Sequence, residues 1–165
     1  MAAEAIKIPC KIWPHRTKNA NASYDHLALT TNDYMSEGLK APDNVISDIC
    51  FKMVQPINQT PNATPASKIR VTLLTGIAGT SNFRLLLAQQ KVIRGTTSID
   101  FTGTFAATVL ASAGAGIEKN IDLPISGACA VGDIYEGVIR REGADAADGI
   151  AGDVFISEVN FVCDT

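Results

Sequence analysis

The sequence is short of charge, and it has no long apolar run. Charged residues make up 19% of the chain, and the net charge of −3 gives no field for gathering phosphates, so nucleic-acid binding is not expected. No apolar run is long enough to span a bilayer, so no membrane partner is expected. The N-terminal segment MAAEAIKIPCKIW has no basic region followed by an apolar one, which predicts no secretory signal.

Motifs that carry chemistry are also missing. The sequence has no phosphate-binding glycine loop, no His-Glu-x-x-His, no Cys-x-x-Cys and no Gly-x-Ser-x-Gly elbow. The two histidines are His15, in a predicted surface turn, and His26, whose neighbour Asp25 points to the opposite face of a predicted strand. A triad built from distant residues stays open. The sequence predicts a protein that is not an enzyme, with no catalytic, cofactor-binding or metal-binding residues and no cofactor.

The four cysteines do not have the spacing of a zinc site, because none lies within four residues of another. Cys10, Cys50 and Cys163 lie in apolar runs, where a thiol behaves as a small core side chain. We expect reduced, largely buried thiols. A disulfide or metal role is the alternative.

Apolar and polar residues alternate with a period of two along most of the chain, which predicts half-buried strands. The apolar positions of these runs are Ile49, Phe51 and Met53, then Ile69, Val71 and Leu73, then Phe83, Leu85 and Leu87, and then Ile117, Ile121 and Leu123. Further strands are predicted over Ala5–Trp13, Ser23–Thr30 and Thr102–Leu110, and a central final strand over Val154–Cys163. About eight or nine strands without a long helix predict an all-β fold, a two-sheet antiparallel sandwich of jelly-roll type, as a single domain over residues 1–165.

Three segments allow more specific predictions. Asp33–Lys40 is a candidate short helix or 3₁₀ turn, because Asp33 suits an N-cap and Gly38 a helix end. The alanine-rich segment Thr104–Ala113 is a candidate helical turn. The sequence Gly76–Gly79 joins two predicted strands and is read as a hairpin turn.

Two long loops are candidates for contacts. Gln55–Ser67 holds three prolines and no charge, and we interpret it either as a solvated hairpin loop or as an arm that contacts another subunit. Arg141–Asp153 carries Asp145, Asp148 and Asp153, which could surround a calcium ion. Their spacing is not that of an EF-hand, and Asp-Gly is ordinary turn chemistry, so we expect turn hydrogen bonds without a metal.

Aromatic residues make up only 6% of the chain, so few side chains could stack on a sugar ring. The candidates are Trp13, Tyr24, Tyr34 and Tyr135. We favour a place in the core wall for Trp13, with an anchor at an interface as the alternative.

The carboxy-terminal pattern resembles a known group of proteins. Arg140-Arg141-Glu142-Gly143 precedes Asp145, Asp148-Gly149, Ala151-Gly152-Asp153 and an alternating strand that ends in Phe161. This pattern, over about Gly132–Val162, resembles the closing hairpin of small β-sandwich virion proteins of tailed bacteriophages. Those are capsid decoration (cement) proteins and tail-fibre or baseplate-associated relatives. The four cysteines and the end at Thr165 without an aromatic tail depart from the usual pattern.

The resemblance implies a virion structural protein without enzymatic activity. It would be made in the host cytoplasm and would decorate the capsid exterior as a homo-oligomer, with a trimer as one candidate state, that clamps the major capsid protein or other virion subunits. Under this hypothesis the contacts would come from Met1–Trp13 and Gln55–Ser67. The alternative is a tail-fibre or baseplate-associated module that binds a receptor or glycan.

Overall fold

The structure of the protein is a computed structural model, and it describes residues 5–29, 34–61, 67–75, 82–101, 108–111, 118–125 and 129–164. Across these ranges all the regular structure is β-strand, and no helix there could span a membrane. The eleven strands are β1 (Ala5–Pro14), β2 (Ser23–Leu29), β3 (Tyr34–Ala41), β4 (Ile46–Met53), β5 (Lys68–Thr75), β6 (Asn82–Arg94), β7 (Thr97–Phe101), β8 (Thr108–Ala111), β9 (Lys119–Pro124), β10 (Asp133–Glu142) and β11 (Val154–Asp164).

The strands form two antiparallel sheets. In sheet A, β11 is central. On one side it pairs with β5, which pairs in turn with β9. On its other side it pairs with the first half of β1 and with β3, and β3 pairs in turn with β2. In sheet B the order is the second half of β1, then β4, β10 and β6, with β7 and β8 on the outer edge of β6. The central position of β11 confirms the prediction for the final strand.

Strand β1 belongs to both sheets and changes partner at Pro9. Residues up to Pro9 pair with β11, and residues from Cys10 onward pair with β4. Proline has no backbone N–H, so it leaves no donor unsatisfied where the strand leaves one neighbour for the next. Its carbonyl oxygen still accepts a hydrogen bond from the Val54 amide, at 3.1 Å.

The inner faces of the two sheets meet in one hydrophobic core. The predicted inward residues of β4 and β5 are buried there, as are Leu85, Leu87, Ile121 and Leu123. Tyr135 of sheet B and Phe161 of sheet A stack across the interface, with ring centroids 5.1 Å apart and an interplanar angle of 23°. The period-two pattern and the two-sheet, jelly-roll-like sandwich are therefore confirmed.

Two local predictions are wrong. The segment proposed as a helix forms β3, whose residues pair with β2 throughout Tyr34–Lys40. Gln55–Ser67 is not a hairpin connection, because it joins β4 of sheet B to β5 of sheet A. The turn hydrogen bonds expected in Arg141–Asp153 are present, from the Asp145 amide to the Glu142 carbonyl oxygen and from the Asp148 amide to the Asp145 carbonyl oxygen. The predicted turn at Gly76–Gly79 lies outside the described residues. A period-two pattern indicates which residues face the core, but it does not identify the neighbouring strand.

The second half of β6 and its hairpin to β7 were not predicted. A two-residue turn joins them, and Gly95 takes a left-handed φ of 59° that favours glycine. The predicted strand over Thr102–Leu110 and the alternative helical turn fall largely outside the described residues, which resume with β8 at Thr108.

Ion pairs hold two carboxylates in their charged form. Arg70 binds Asp122 through two hydrogen bonds, at 2.7 and 2.9 Å, and Lys68 lies 3.0 Å from the same carboxylate. Arg94 binds the buried Asp133 in the same bidentate way, at 2.8 Å for each bond. The arginine hydrogen bonds lower the pKa of Asp122 and of Asp133 below the usual aspartate value.

We expect acid to weaken the fold through these carboxylates. A carboxylate whose pKa is lower in the folded state than in the unfolded state stabilises the fold. This stabilisation is complete above the unfolded-state pKa of about 3.9 and is lost as the pH falls through the folded-state pKa. Urea unfolding at a series of pH values between 7 and 2 should show a free energy of unfolding that declines below about pH 4. Asp122→Asn should make this decline shallower, and a variant with the wild-type slope would contradict the role of Asp122.

Candidate functional site

The solvent-facing side of sheet B carries two rows of side chains that cross four strands in register. The Trp13 row consists of Trp13, Cys50, Val138 and Gln89. The Lys52 row consists of Lys11, Lys52, Glu136 and Lys91. Strands in a sheet lie about 4.8 Å apart, so each row is roughly 14 Å long. The two rows place an aromatic ring, an amide and charged groups on one face.

A bulge in β6 turns Gln89 and Lys91 toward this face. Leu85 and Leu87 point into the core, and uninterrupted alternation would send Gln89 and Lys91 there too. Ala88 has no partner in the register, because Val138 pairs with Gln89 while Ile139 pairs with Leu87. The extra residue reverses the alternation that follows it.

Trp13 lies on the outer face of the sandwich, so our placement of it in the core wall is wrong. It is half-buried, it pairs with Cys50 across β1 and β4, and it is not part of the hydrophobic core. Residues of β1 alternate between faces, and the neighbouring Cys10 and Ile12 pack against the core. Trp13 is left as an aromatic surface beside polar groups.

Trp13 lines two adjoining depressions. One, of about 410 Å³, runs along the Trp13 row and includes His15, Lys91 and Glu136. The other, of about 660 Å³, is lined by Lys11, Trp13, Arg16, Tyr24, Lys52, Met53 and Val54. We call the two together the Trp13 groove. Its walls combine an apolar surface with a few polar groups, which is typical of small-ligand sites.

Tyr24 is the exposed aromatic residue of the Trp13 groove. It is 66% exposed, and its hydroxyl donates a hydrogen bond to the Ile12 carbonyl oxygen, at 3.2 Å. The hydrogen bond anchors the ring although its faces are open to solvent. Exposed aromatic rings that lose little entropy on contact are favourable binding surfaces.

Charged side chains border the groove in fixed pairs. Glu136 lies 3.2 Å from the Lys52 ammonium and 3.7 Å from that of Lys91. The buried Asp48 accepts two hydrogen bonds from Arg140, at 2.7 and 2.9 Å, and a third from the Asn19 amide at 2.9 Å. These pairs pre-organise donors and acceptors at the groove.

His15 ends the Trp13 groove beside a third, smaller depression of about 100 Å³. Its Nδ1 accepts hydrogen bonds from the amides of Thr17 and Lys18, at 3.2 and 3.0 Å. Nδ1 is therefore occupied as an acceptor in this turn, and Nε2 is the ring nitrogen left for a ligand. The predicted surface turn at His15 is confirmed.

Gly137 forms part of the floor of the groove. A Cβ atom there would clash with the Gln89 carbonyl oxygen and would lie 3.1 Å from the Phe51 ring. Phe51, which lies opposite Gly137 across β4 and β10, also lines the groove.

The four cysteines are free thiols. Cys163 is buried in the core as predicted, and burial raises the pKa of the half-buried Cys10 to about 12. Cys50 is an exception to the core prediction, because it lies in the Trp13 row. Burial raises the pKa of Cys50, and the nearby Asp48 carboxylate raises it further, so the thiolate is disfavoured there.

The three aspartates of the 141–153 loop bind three different groups. Asp148 pairs with the buried Arg141, at 3.0 Å, Asp145 with Arg84 at 2.7 Å, and Asp153 accepts a hydrogen bond from the Asp43 amide at 3.3 Å. No group of metal ligands occurs among the residues that the structure describes. That this loop binds no metal stays a prediction. The sequence analysis did not predict that Arg141 is buried.

The four predicted aromatic platforms have different positions. Trp13 and Tyr24 come together at the Trp13 groove. Tyr135 lies in the core. The side chain of Tyr34 is outside the described residues.

Comparison with protein-family models and with curated proteins gave no match. Among solved structures, the chain is similar to TmCBM61 in complex with β-1,4-galactotriose, at 10% identity and a TM-score of 0.38, covering 94% of this chain and 85% of that one. It is also similar to the family 11 carbohydrate-binding module from Clostridium thermocellum in complex with a β-1,3-1,4-mixed-linked tetrasaccharide, at 10% identity and a TM-score of 0.35, covering 94% and 89%. At this level of similarity, the function has to be argued from the chain's own residues.

Proposed function

We propose that the protein is a non-enzymatic glycan-binding module and that its ligand lies along the Trp13 groove. The observation that carries this proposal is the half-buried Trp13 on the outer face of sheet B, next to a row of hydrogen-bonding side chains. A pyranose ring has an apolar C–H face and a polar rim. The indole packs against the C–H face, and Gln89, Glu136 and Lys91 hydrogen-bond to the hydroxyls.

The groove also has the rigidity that weak sugar contacts require. Its residues lie mainly on paired strands, and sites built on such elements keep their geometry. Tyr24 is anchored by its hydroxyl, and the Asp48–Arg140 pair is bidentate. Little ordering is therefore needed when a ligand binds, so more of the contact energy contributes to affinity.

Replacing Trp13 with alanine should reduce glycan affinity by roughly 30-fold or more, since truncating a central aromatic anchor costs about 2 kcal/mol or more. Isothermal titration calorimetry with a panel of β-linked oligosaccharides would measure the loss. Trp13→Phe, which keeps a stacking surface, should retain most of the binding. Equal affinity of Trp13→Ala and wild type, with equal melting temperatures, would refute the proposal.

Capsid decoration remains a separate proposal that rests on the resemblance of residues 132–162. The homo-oligomeric state, the capsid-protein partner and the place on the virion exterior rest on the same resemblance. A glycan-binding module is compatible with the tail-fibre or baseplate alternative, where recognition of a host surface would use the same groove. Localising the protein on particles by labelling would distinguish a capsid lattice from a tail site.

A further inference from the structure

The Trp13 groove and the small depression beside it have the opposite charge to the protein as a whole. The chain has a net charge of −3. The side chains that line these depressions include two carboxylates, Glu136 and Asp48, and six cations, namely Lys11, Arg16, Lys18, Lys52, Lys91 and Arg140. A local excess of cations concentrates anionic ligands against the repulsion of an acidic protein.

Both of these carboxylates are already engaged. Glu136 is shared by Lys52 and Lys91, and Asp48 is bound by Arg140 and Asn19. Lys11, Arg16 and Lys18 are exposed and have no carboxylate partner within the described part of the chain. Three cations are therefore available to a ligand.

The unpartnered cations lie close to the aromatic rings. Lys11 and Arg16 line the same depression as Trp13 and Tyr24. Lys11 also lies directly opposite Lys52 across β1 and β4, and like charges in that arrangement destabilise a sheet. An anion bound between these strands would relieve that repulsion.

We infer that the ligand of the Trp13 groove is an anionic glycan, with a carboxylate or sulfate facing Lys11 and Arg16 while a sugar ring stacks on Trp13. This inference rests on the proposed glycan-binding function and adds the class of ligand. Single-stranded nucleic acid also combines anions with stacking rings. It is the less favoured occupant, because the overall charge of the protein is negative and would repel a long phosphate chain.

The experiment compares ligands that differ only in charge. Oligogalacturonate and oligogalactose of equal length differ in a carboxylate or a hydroxymethyl group on each ring. Dextran sulfate is compared with dextran to test recognition of sulfate groups. A 20-nucleotide oligothymidylate tests whether the groove binds single-stranded nucleic acid. Affinities are measured by calorimetry at low salt and at 0.5 M NaCl, where charge interactions are strongly screened.

The matched variants are Lys11→Gln and Lys7→Gln. Both residues are exposed on β1, but Lys7 pairs with Val162 in sheet A and lines neither depression of the groove. Lys11→Gln should weaken binding of an acidic glycan by about three- to tenfold, since it removes one charge-assisted contact. Lys7→Gln should leave the affinity unchanged.

Tighter binding of either acidic glycan than of its neutral counterpart, weakened in high salt and in Lys11→Gln, supports the inference. Equal or tighter binding of the neutral glycan, abolished by Trp13→Ala but not by Lys11→Gln, overturns the inference and leaves the glycan-binding function intact. Acidic-glycan binding that survives Trp13→Ala would instead be simple ion exchange and would overturn both. If oligothymidylate binds more tightly than every glycan, the ligand is nucleic acid and the inference is wrong.

Discussion

Replacing Asp148 with alanine is expected to lower the free energy of unfolding by about 3–5 kcal/mol, because it removes the bidentate counter-ion of a buried guanidinium and leaves only the Asp43 carboxylate, 3.8 Å away. Arg141 is 1% exposed, and its Nε and Nη2 atoms donate to the two Asp148 carboxylate oxygens at 3.1 and 3.0 Å. Asp148 also accepts a hydrogen bond from the Arg84 amide, at 3.1 Å. Its loss therefore affects both β10 and β6.

The remaining donors of Arg141 tie the loop to β3. Nη1 donates to the carbonyl oxygens of Ala41, at 2.7 Å, and Gly152, at 2.8 Å, and Nη2 donates to that of Ile150 at 3.3 Å. Removing the arginine leaves these carbonyl groups unsatisfied, and buried unsatisfied polar groups are costly. Arg141→Met is thus expected to be as destabilising as Asp148→Ala.

Urea unfolding followed by circular dichroism would measure these effects. The matched control is Asp153→Ala, in the same loop, whose partly exposed carboxylate should contribute about 1 kcal/mol or less. The double variant Arg141→Met/Asp148→Ala should be no less stable than the less stable of the two single variants, because both substitutions break the same ion pair. Additive losses, or a loss in Asp148→Ala no larger than in Asp153→Ala, would show that the pair does not hold this loop.

The alternation of residue types predicted much of the fold. Strands such as Ile46–Met53 and Lys68–Thr75 place every second residue in the core, and burial of apolar side chains enforces that pattern in any sandwich. Tyr34–Ala41 was misread because Asp33 and Gly38 suit helix ends. Its pairing with both β2 and β11 overrides those local preferences.

The site could not be predicted in the same way. Its residues come from four strands that are distant in sequence, and only the strand order places Trp13 beside Cys50 and Val138. The bulge at Ala88 reverses the faces of Gln89 and the residues after it, and no residue pattern indicates it. The outward face of Trp13 follows from the alternation within β1, because Ile8, Cys10 and Ile12 face the core on both sides of the partner change.

The ion pair of Arg141 also could not be fully predicted from the sequence. An arginine in a loop-flanking position is normally solvated, and sequence gives no partner for it. Its alternation within β10 does place it on the same side as Tyr135 and Ile139, which are both buried. An arginine on the inward-facing side of a strand was therefore a detectable signal of a buried ion pair, although the sequence does not identify which carboxylate completes it.

Replacing Phe161 with alanine should lower the free energy of unfolding by about 3–5 kcal/mol, because it opens a cavity where the two sheets meet. Phe161 lies on the central strand β11 between Ile8 and Ile69, and it is fully buried. Its ring stacks on that of Tyr135 in the opposite sheet. The substitution thus removes contacts on both sheets at once.

Tyr135→Phe is the matched control, since it keeps the stacked pair and removes only a hydroxyl. That hydroxyl is buried and has no hydrogen-bond partner among the described residues, so its removal should be neutral or slightly stabilising. Both variants are compared by urea unfolding at pH 7. A loss in Phe161→Ala of less than about 1 kcal/mol would mean that the sheets are not held together at this stack, because full burial of a phenyl ring cannot be removed at so low a cost.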